Sequence, residues 1–141
     1  MTQFLMALPH EVPAVWPMCK DLLAKSFFRH VHTYGVDDLY DPLLTGEFQL
    51  WAAVRDGQVI GAAVTVIEEG RKAKVLSVLN LGGEDIKDWI ASLDKAFTLF
   101  ARQNNCLAYE AVTRKGFSRL VPGFIEDGVV YVKFVNEDTD V

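Results

Sequence analysis

The sequence predicts an α+β domain: a mixed, mainly antiparallel sheet with helices on its faces. Three observations predict it. Phe48 to Arg55 (FQLWAAVR) and Gln58 to Ile67 (QVIGAAVTVI) are β-prone runs around Asp56-Gly57, residues that tolerate the positive φ of a two-residue hairpin turn. Ile86, Trp89, Ile90, Leu93, Phe97, Phe100 and Ala101 form one apolar helical stripe, with Lys87, Asp88, Asp94, Lys95 and Arg102 elsewhere on the helix. Ala73 to Leu81 (AKVLSVLNL) before that helix and Cys106 to Thr113 (CLAYEAVT) after it read as parallel strands, because a full helix connects them.

The other elements follow in chain order. Thr2 to Leu8 forms a first strand, stopped by Pro9. Val15, Met18, Cys19, Leu22, Leu23 and Phe27 recur at helical spacing. Proline belongs in a helix's first turn, so Pro13 and Pro17 place the start between them, and the end falls near His30. Gly35, Asp37 and Asp38 open a short second helix with an aspartate as N-cap, carrying Leu39, Leu43 and Leu44 and closed by Gly46. Within the hairpin, Gly61 marks a bulge or a close backbone approach. The turn at 68–72 (EEGRK) joins the hairpin to the third strand of a meander. Lys115 to Leu120 is a short helix or turn, and Asp127-Gly128 opens a last strand, Val129 to Val135. The order is β-α-α-β-β-β-α-β-α-β over a single domain, residues 1–135, with 136–141 (NEDTDV) as a frayed acidic tail.

Composition narrows the function classes. Half of the 141 residues are apolar and 23% are charged, a globular balance that excludes disorder. A net charge of −5 without a Lys/Arg run argues against a nucleic-acid surface. Cys19 and Cys106 lie in apolar segments and read as buried free thiols rather than a disulfide or zinc pair. The N-terminus lacks a basic region, and no apolar run approaches the ~20 residues of a membrane helix, so a soluble cytoplasmic protein is expected. His30-Val31-His32 does not put two ligands on one helix face, so no metal site is expected there.

The segment Asn80-Leu81-Gly82-Gly83-Glu84-Asp85 raises the first functional question. A strand that breaks at glycines and enters a helix offers unpaired N–H groups and a positive dipole end to a phosphate. Glu84 and Asp85 set negative charge at the same place. Gly82-Gly83 also reads simply as a turn requiring unusual φ and ψ, and the two acids as first-turn helix residues.

Order and landmarks together resemble the GNAT N-acetyltransferase superfamily. The landmarks are the hairpin LWAAVRDGQVIGAAVTVI, the strand–Gly-Gly–helix unit at 74–103, and TRKGFSRLVPGFIEDGVVYVKFV at 113–135. The likeness is strongest to small GNAT-like proteins of tailed phages and prophages, through Arg114-Lys115-Gly116-Phe117. The resemblance implies that Ala73–Leu81 and Cys106–Thr113 splay apart and that the pantetheine arm of acetyl-CoA inserts between them. It would pair with the backbone of Val78, Leu79, Asn80 and Leu81, with the pyrophosphate at Gly82 and Gly83. An amine, from a small molecule or a protein, then attacks the thioester; positioning supplies much of the rate. The loop keeps the family's glycines but not their spacing or basic first residue. Arg119 stands where a thiolate-protonating tyrosine is usual and is assigned to the cofactor instead.

Two residues carry the catalytic expectation. Glu110, mid-strand among apolar neighbours, is either a base for the amine or an ion-pair partner of Arg114 or Arg71. Tyr131 is the candidate proton donor to the leaving thiolate; it and Tyr109 equally read as packed strand tyrosines. The Trp89/Phe97/Phe100 stripe and Trp51 read as core. The primary expectation is an acetyl-CoA-dependent N-acetyltransferase. Its alternatives are a non-catalytic GNAT-fold protein, phage-encoded and binding or virion-associated, and a plain dimerisation module; a homodimer is compatible with each.

Overall fold

The computed structural model describes residues 1–25, 27–28 and 35–111. The elements are β1 (Thr2–Ala7), α1 (Val12–Ala24), β2 (Phe27–Phe28), α2 (Tyr40–Thr45), β3 (Phe48–Arg55), β4 (Gln58–Glu69), β5 (Lys74–Gly83), α3 (Ile86–Gln103) and β6 (Cys106–Ala111). Among these residues one six-stranded sheet runs β1-β3-β4-β5-β2, with β6 also on β5. All pairings are antiparallel except β5–β6. The α+β class and the parallel strand after α3 follow the sequence expectation. Lys115–Leu120, Val129–Val135 and the tail at 136–141 lie outside the described residues.

Alternation along the strands divides the core into two apolar layers. On one face Trp51, Ala53, Ala63, Leu76 and Val78 pack with Trp89, Ile90, Leu93, Phe97 and Ala101 of α3. On the other, Leu50, Ala52, Ala62, Val64 and Leu79 pack with Val12, Trp16, Cys19 and Leu23 of α1 and Leu43 of α2. Trp51 is in the first layer: it stacks on Phe4 and meets the edges of Phe97 and Phe100, while its indole N–H donates to buried Thr65 at 2.9 Å. Trp89 and Phe97 are fully buried in this layer and half-buried Phe100 packs against it, as the helical spacing of the three predicts.

The hairpin turn has positive φ at both Asp56 (52°) and Gly57 (76°), the geometry that selected Asp-Gly. Gly61 answers to both expectations at once. Ile60 is the extra residue of a bulge, since Ala53 pairs with Gly61 and Val54 with Val59. A Cβ on Gly61 would lie 2.4 Å from Cζ2 of Trp89, so the bare glycine lets α3 settle on the sheet.

Three local expectations are corrected. Helix α1 ends at Ala24, not near His30, and the chain re-enters the sheet as β2. A buried side chain from far along the sequence meets its last turn: Asn80 Nδ2 donates to the Leu23 carbonyl at 3.1 Å. Pro17 lies inside this helix rather than in its first turn. Pro13 and Pro17 are both on the exposed side, so the helix carbonyl left without its donor faces water. The second helix starts as a 3-10 turn with Gly35 as N-cap; Asp38, three residues later, accepts from the Gly35 N–H at 2.7 Å. Gly46 closes it in the left-handed region, as expected.

Candidate functional site

The glycines of the candidate phosphate loop are not in a turn. Gly82 pairs with Ala62 and Gly83 with Gly61, so both complete β5. The correction has a non-local cause. Gly83 has φ of 145°, and a Cβ there would meet Gly61 Cα at 2.4 Å and the Ile60 carbonyl at 2.5 Å. Two facing glycines draw β4 and β5 together, which keeps Gly83 in the ladder. The turn proper is Glu84-Asp85. Its backbone is already engaged: Glu84 N–H donates to Ile60 O at 2.8 Å, and the Glu84 carbonyl accepts the Trp89 indole N–H at 2.8 Å.

The acids at the α3 N-terminus are exposed and engage Arg55 and Thr2. Asp85, with φ of 50°, holds the N-cap position and its carbonyl accepts from Asp88 N–H. Arg55 at the end of β3 reaches Asp85 Oδ2 at 3.0 Å and Asp88 Oδ2 at 3.4 Å. Thr2 of β1 donates to Asp88 Oδ2 at 2.6 Å. The Thr2 hydroxyl, and secondarily Arg55, hold the Asp88 carboxyl below its usual range. Asp85 likewise raises the Arg55 guanidinium, chiefly through their hydrogen bond. This cluster joins α3 to β3 and β1, away from the outer edge of β5.

That edge is the unusual part of the sheet. Strand β4 covers the inner edge of β5 from Lys74 to Gly83. The outer edge carries β6 from Lys74 to Val78, and then β2, with Phe27 opposite Leu81 and Phe28 opposite Asn80. Leu79 lies between the two partners and is the extra residue of a bulge, since Val64 pairs with Asn80 and Thr65 with Val78. The bulge sets two successive side chains, Leu79 and Asn80, toward α1: Leu79 enters its apolar layer and Asn80 bonds Leu23. Val78 faces α3, and half-buried Leu81 packs against the same layer.

The other candidates divide. Glu110 is exposed, not enclosed, and lies on β6 opposite buried Ser77, whose hydroxyl donates to its carboxylate at 3.3 Å. Tyr109 points to the opposite face, where it meets Phe97 edge-on and donates to Asp94 of α3. These are the contacts of a packed strand tyrosine, and burial, then that bond, raise its phenol far above the ordinary value. Tyr131, Arg119, Arg114, His30 and His32 lie outside the described residues. Among the described residues no group of His, Cys, Asp and Glu could hold a metal ion, and no helix is long and apolar enough to cross a membrane. Sequence reasoning missed β2; Phe27 read as the last position of the α1 apolar pattern, and nothing local contradicts that.

By sequence, no family model and no curated protein matches the chain. Solved structures do match. An aminoglycoside acetyltransferase from an uncultured soil metagenomic sample, in complex with sisomicin, is 14% identical with a TM-score of 0.69, covering 96% of this chain and 97% of its own. A predicted acetyltransferase from Clostridium acetobutylicum, with acetyl-CoA, is 12% identical with a TM-score of 0.62, covering 95% and 96%. A GNAT family acetyltransferase from Staphylococcus aureus is 14% identical with a TM-score of 0.60, covering 95% and 98%. These matches, at 12–14% identity over nearly the whole chain, show the fold alone: it is the fold of the GNAT acetyltransferases.

Proposed function

We propose that this chain is a GNAT N-acetyltransferase that moves an acetyl group from acetyl-CoA to an amine. The observation that carries the reading is the change of partner along β5. Among the described residues parallel pairing with β6 runs to Val78, the bulge at Leu79 follows, and the next backbone groups face a different neighbour. A thioester arm laid along Val78–Leu81 would meet Glu110 beside the last β5–β6 pairs, on the α1 side. In this reading Glu110 takes the proton of the attacking amine, the new C–N bond forms at the acetyl carbonyl, and the C–S bond breaks. Tyr131 returns a proton to the departing thiolate, and Arg119 contacts the cofactor phosphates. Gly82 and Gly83 contribute shape rather than an anion grip, because their room is used by β4. Small-molecule amines fit the aminoglycoside acetyltransferase among the structural matches; a protein amine is the other acceptor class. A cytoplasmic setting, a homodimer and a phage or prophage origin belong to the same reading, the last on sequence resemblance alone.

One observation favours a second reading, a GNAT-fold binding protein without catalysis: β2 occupies the backbone of Asn80 and Leu81. Thermal denaturation with millimolar acetyl-CoA separates the two. At 100 times the dissociation constant the ligand stabilises the fold by ~2.7 kcal/mol, or about 5–10 °C for a chain of this length. No shift refutes the acetyltransferase reading. Where binding is seen, Glu110→Gln should keep it and lose turnover; unchanged turnover removes Glu110 as the base.

A further inference from the structure

We propose that β2 is a displaceable occupant of the cofactor edge, so that acetyl-CoA and Phe27–Phe28 compete for the outer backbone groups of Asn80 and Leu81. The inference rests on the acetyltransferase reading and adds its regulation. Three features of the structure carry it. The outer edge of β5 has room for one partner at each position, because β4 takes the inner edge throughout. Along Lys74–Val78 that partner is β6, and at Asn80–Leu81 it is β2. Among the described residues the β2 pairing consists of Phe27 and Phe28, which supply few ladder bonds at this edge.

Its position is nevertheless specified. Asn80 does two things at once: its backbone pairs with Phe28, and its buried amide side chain bonds the Leu23 carbonyl in the last turn of α1. Helix α1 therefore ends beside β5 and delivers Phe27 to the edge only three residues after Ala24. The tether makes pairing intramolecular and gives it a high effective concentration. An extended ligand arm must pay the fraction of molecules in which β2 is away, and its apparent dissociation constant rises by the inverse of that fraction. Helix α1 is held on the sheet by its own apolar layer of Val12, Trp16, Cys19 and Leu23.

A reversible lock tests this. Phe27→Cys with Leu81→Cys puts two thiols on directly opposed residues of an antiparallel pair. The oxidised protein should bind acetyl-CoA at least about tenfold more weakly than the same protein reduced with a phosphine, read by calorimetric titration. Phe28→Pro, which removes a backbone donor from β2, should bind about threefold or more tightly than wild type. Circular dichroism of the oxidised and reduced forms confirms a common fold. Equal affinity of the locked and reduced forms, with wild type binding normally, overturns the competition and leaves the acetyltransferase reading standing. Absence of binding by wild type, reduced and Phe28→Pro forms alike overturns both.

Discussion

Adding one methyl group at Gly61 should be among the most damaging changes in the sheet. The Cβ of Gly61→Ala would sit 2.4 Å from Cζ2, 2.9 Å from Cη2 and 3.0 Å from Cε2 of Trp89. The indole is poorly placed to yield. It is fully buried, stacks on Phe4 with ring centroids 5.8 Å apart, and donates to the Glu84 carbonyl at 2.8 Å. Gly61 itself lies outside the positive-φ region, so the backbone penalises no side chain there and the whole cost is the collision. Overpacking of this kind costs ~1–3 kcal/mol. Loss of the indole hydrogen bond adds ~1 kcal/mol. The sum, about 2–4 kcal/mol, lowers Tm by roughly 5–15 °C. Gly57→Asn is the matched control: the turn has φ of +76° but nothing within 4 Å, and asparagine adopts that region, so its cost should stay under about 1 kcal/mol. Urea denaturation of Gly61→Ala, Trp89→Phe and the double variant closes the cycle. The smaller ring relieves the clash, so the double should be less destabilised than the sum by at least ~1 kcal/mol. Additivity, or a Gly61→Ala cost no larger than that of Gly57→Asn, would refute the account of how α3 seats on β4.

Two further predictions concern titratable groups. Asp88 has its carboxyl lowered from 3.8, first by the Thr2 hydroxyl and then by Arg55. A depressed folded value means that its contribution to stability is complete above the unfolded value and is lost as pH falls through the folded one. The Tm difference between wild type and Asp88→Asn should therefore be constant above about pH 5 and shrink below pH 3.8; a difference that grows in acid would invert the assignment. Cys19 is fully buried and its thiol is pushed up to about 12 by desolvation. Iodoacetamide at pH 8 should leave it unmodified in the native protein and label it only on unfolding, followed by intact mass; rapid native labelling would contradict its placement on the buried face of α1.

The features read correctly from sequence are those whose cause is local. Asp56-Gly57 supplies its own positive φ, and the stripe from Ile86 to Ala101 needs only the helix period. Gly46 likewise ends α2 by its own conformation. The features misread have causes elsewhere in the chain. Gly82-Gly83 looks like a turn until Gly61 and Ala62 are seen opposite. Helix α1 looks longer because Phe27 keeps its spacing, while the Asn80 side chain that meets its end comes from β5. Glu110 stands among apolar letters that leave its surroundings open, and only the β5–β6 pairing sets it at the surface beside Ser77. In each case a pairing between distant segments overrides a sound local preference.

The same distinction changes what the acids after Gly83 mean. As letters, Glu84 and Asp85 stand in the path of a pyrophosphate. In the fold, Asp85 and Asp88 share Arg55, and Asp88 also takes the Thr2 hydroxyl, so their charge is committed toward β3 and β1. The greater obstacle to an anion is the backbone. The Glu84 N–H that would open a phosphate cradle is already given to Ile60. Mutating the acids should therefore do little for acetyl-CoA, whereas freeing Asn80 and Leu81 from β2 should do much. Glu84→Gln with Asp85→Asn beside Phe28→Pro makes the comparison in one titration. If the neutralised loop gains more affinity than the released edge, charge governs this site and the competition between β2 and the cofactor does not.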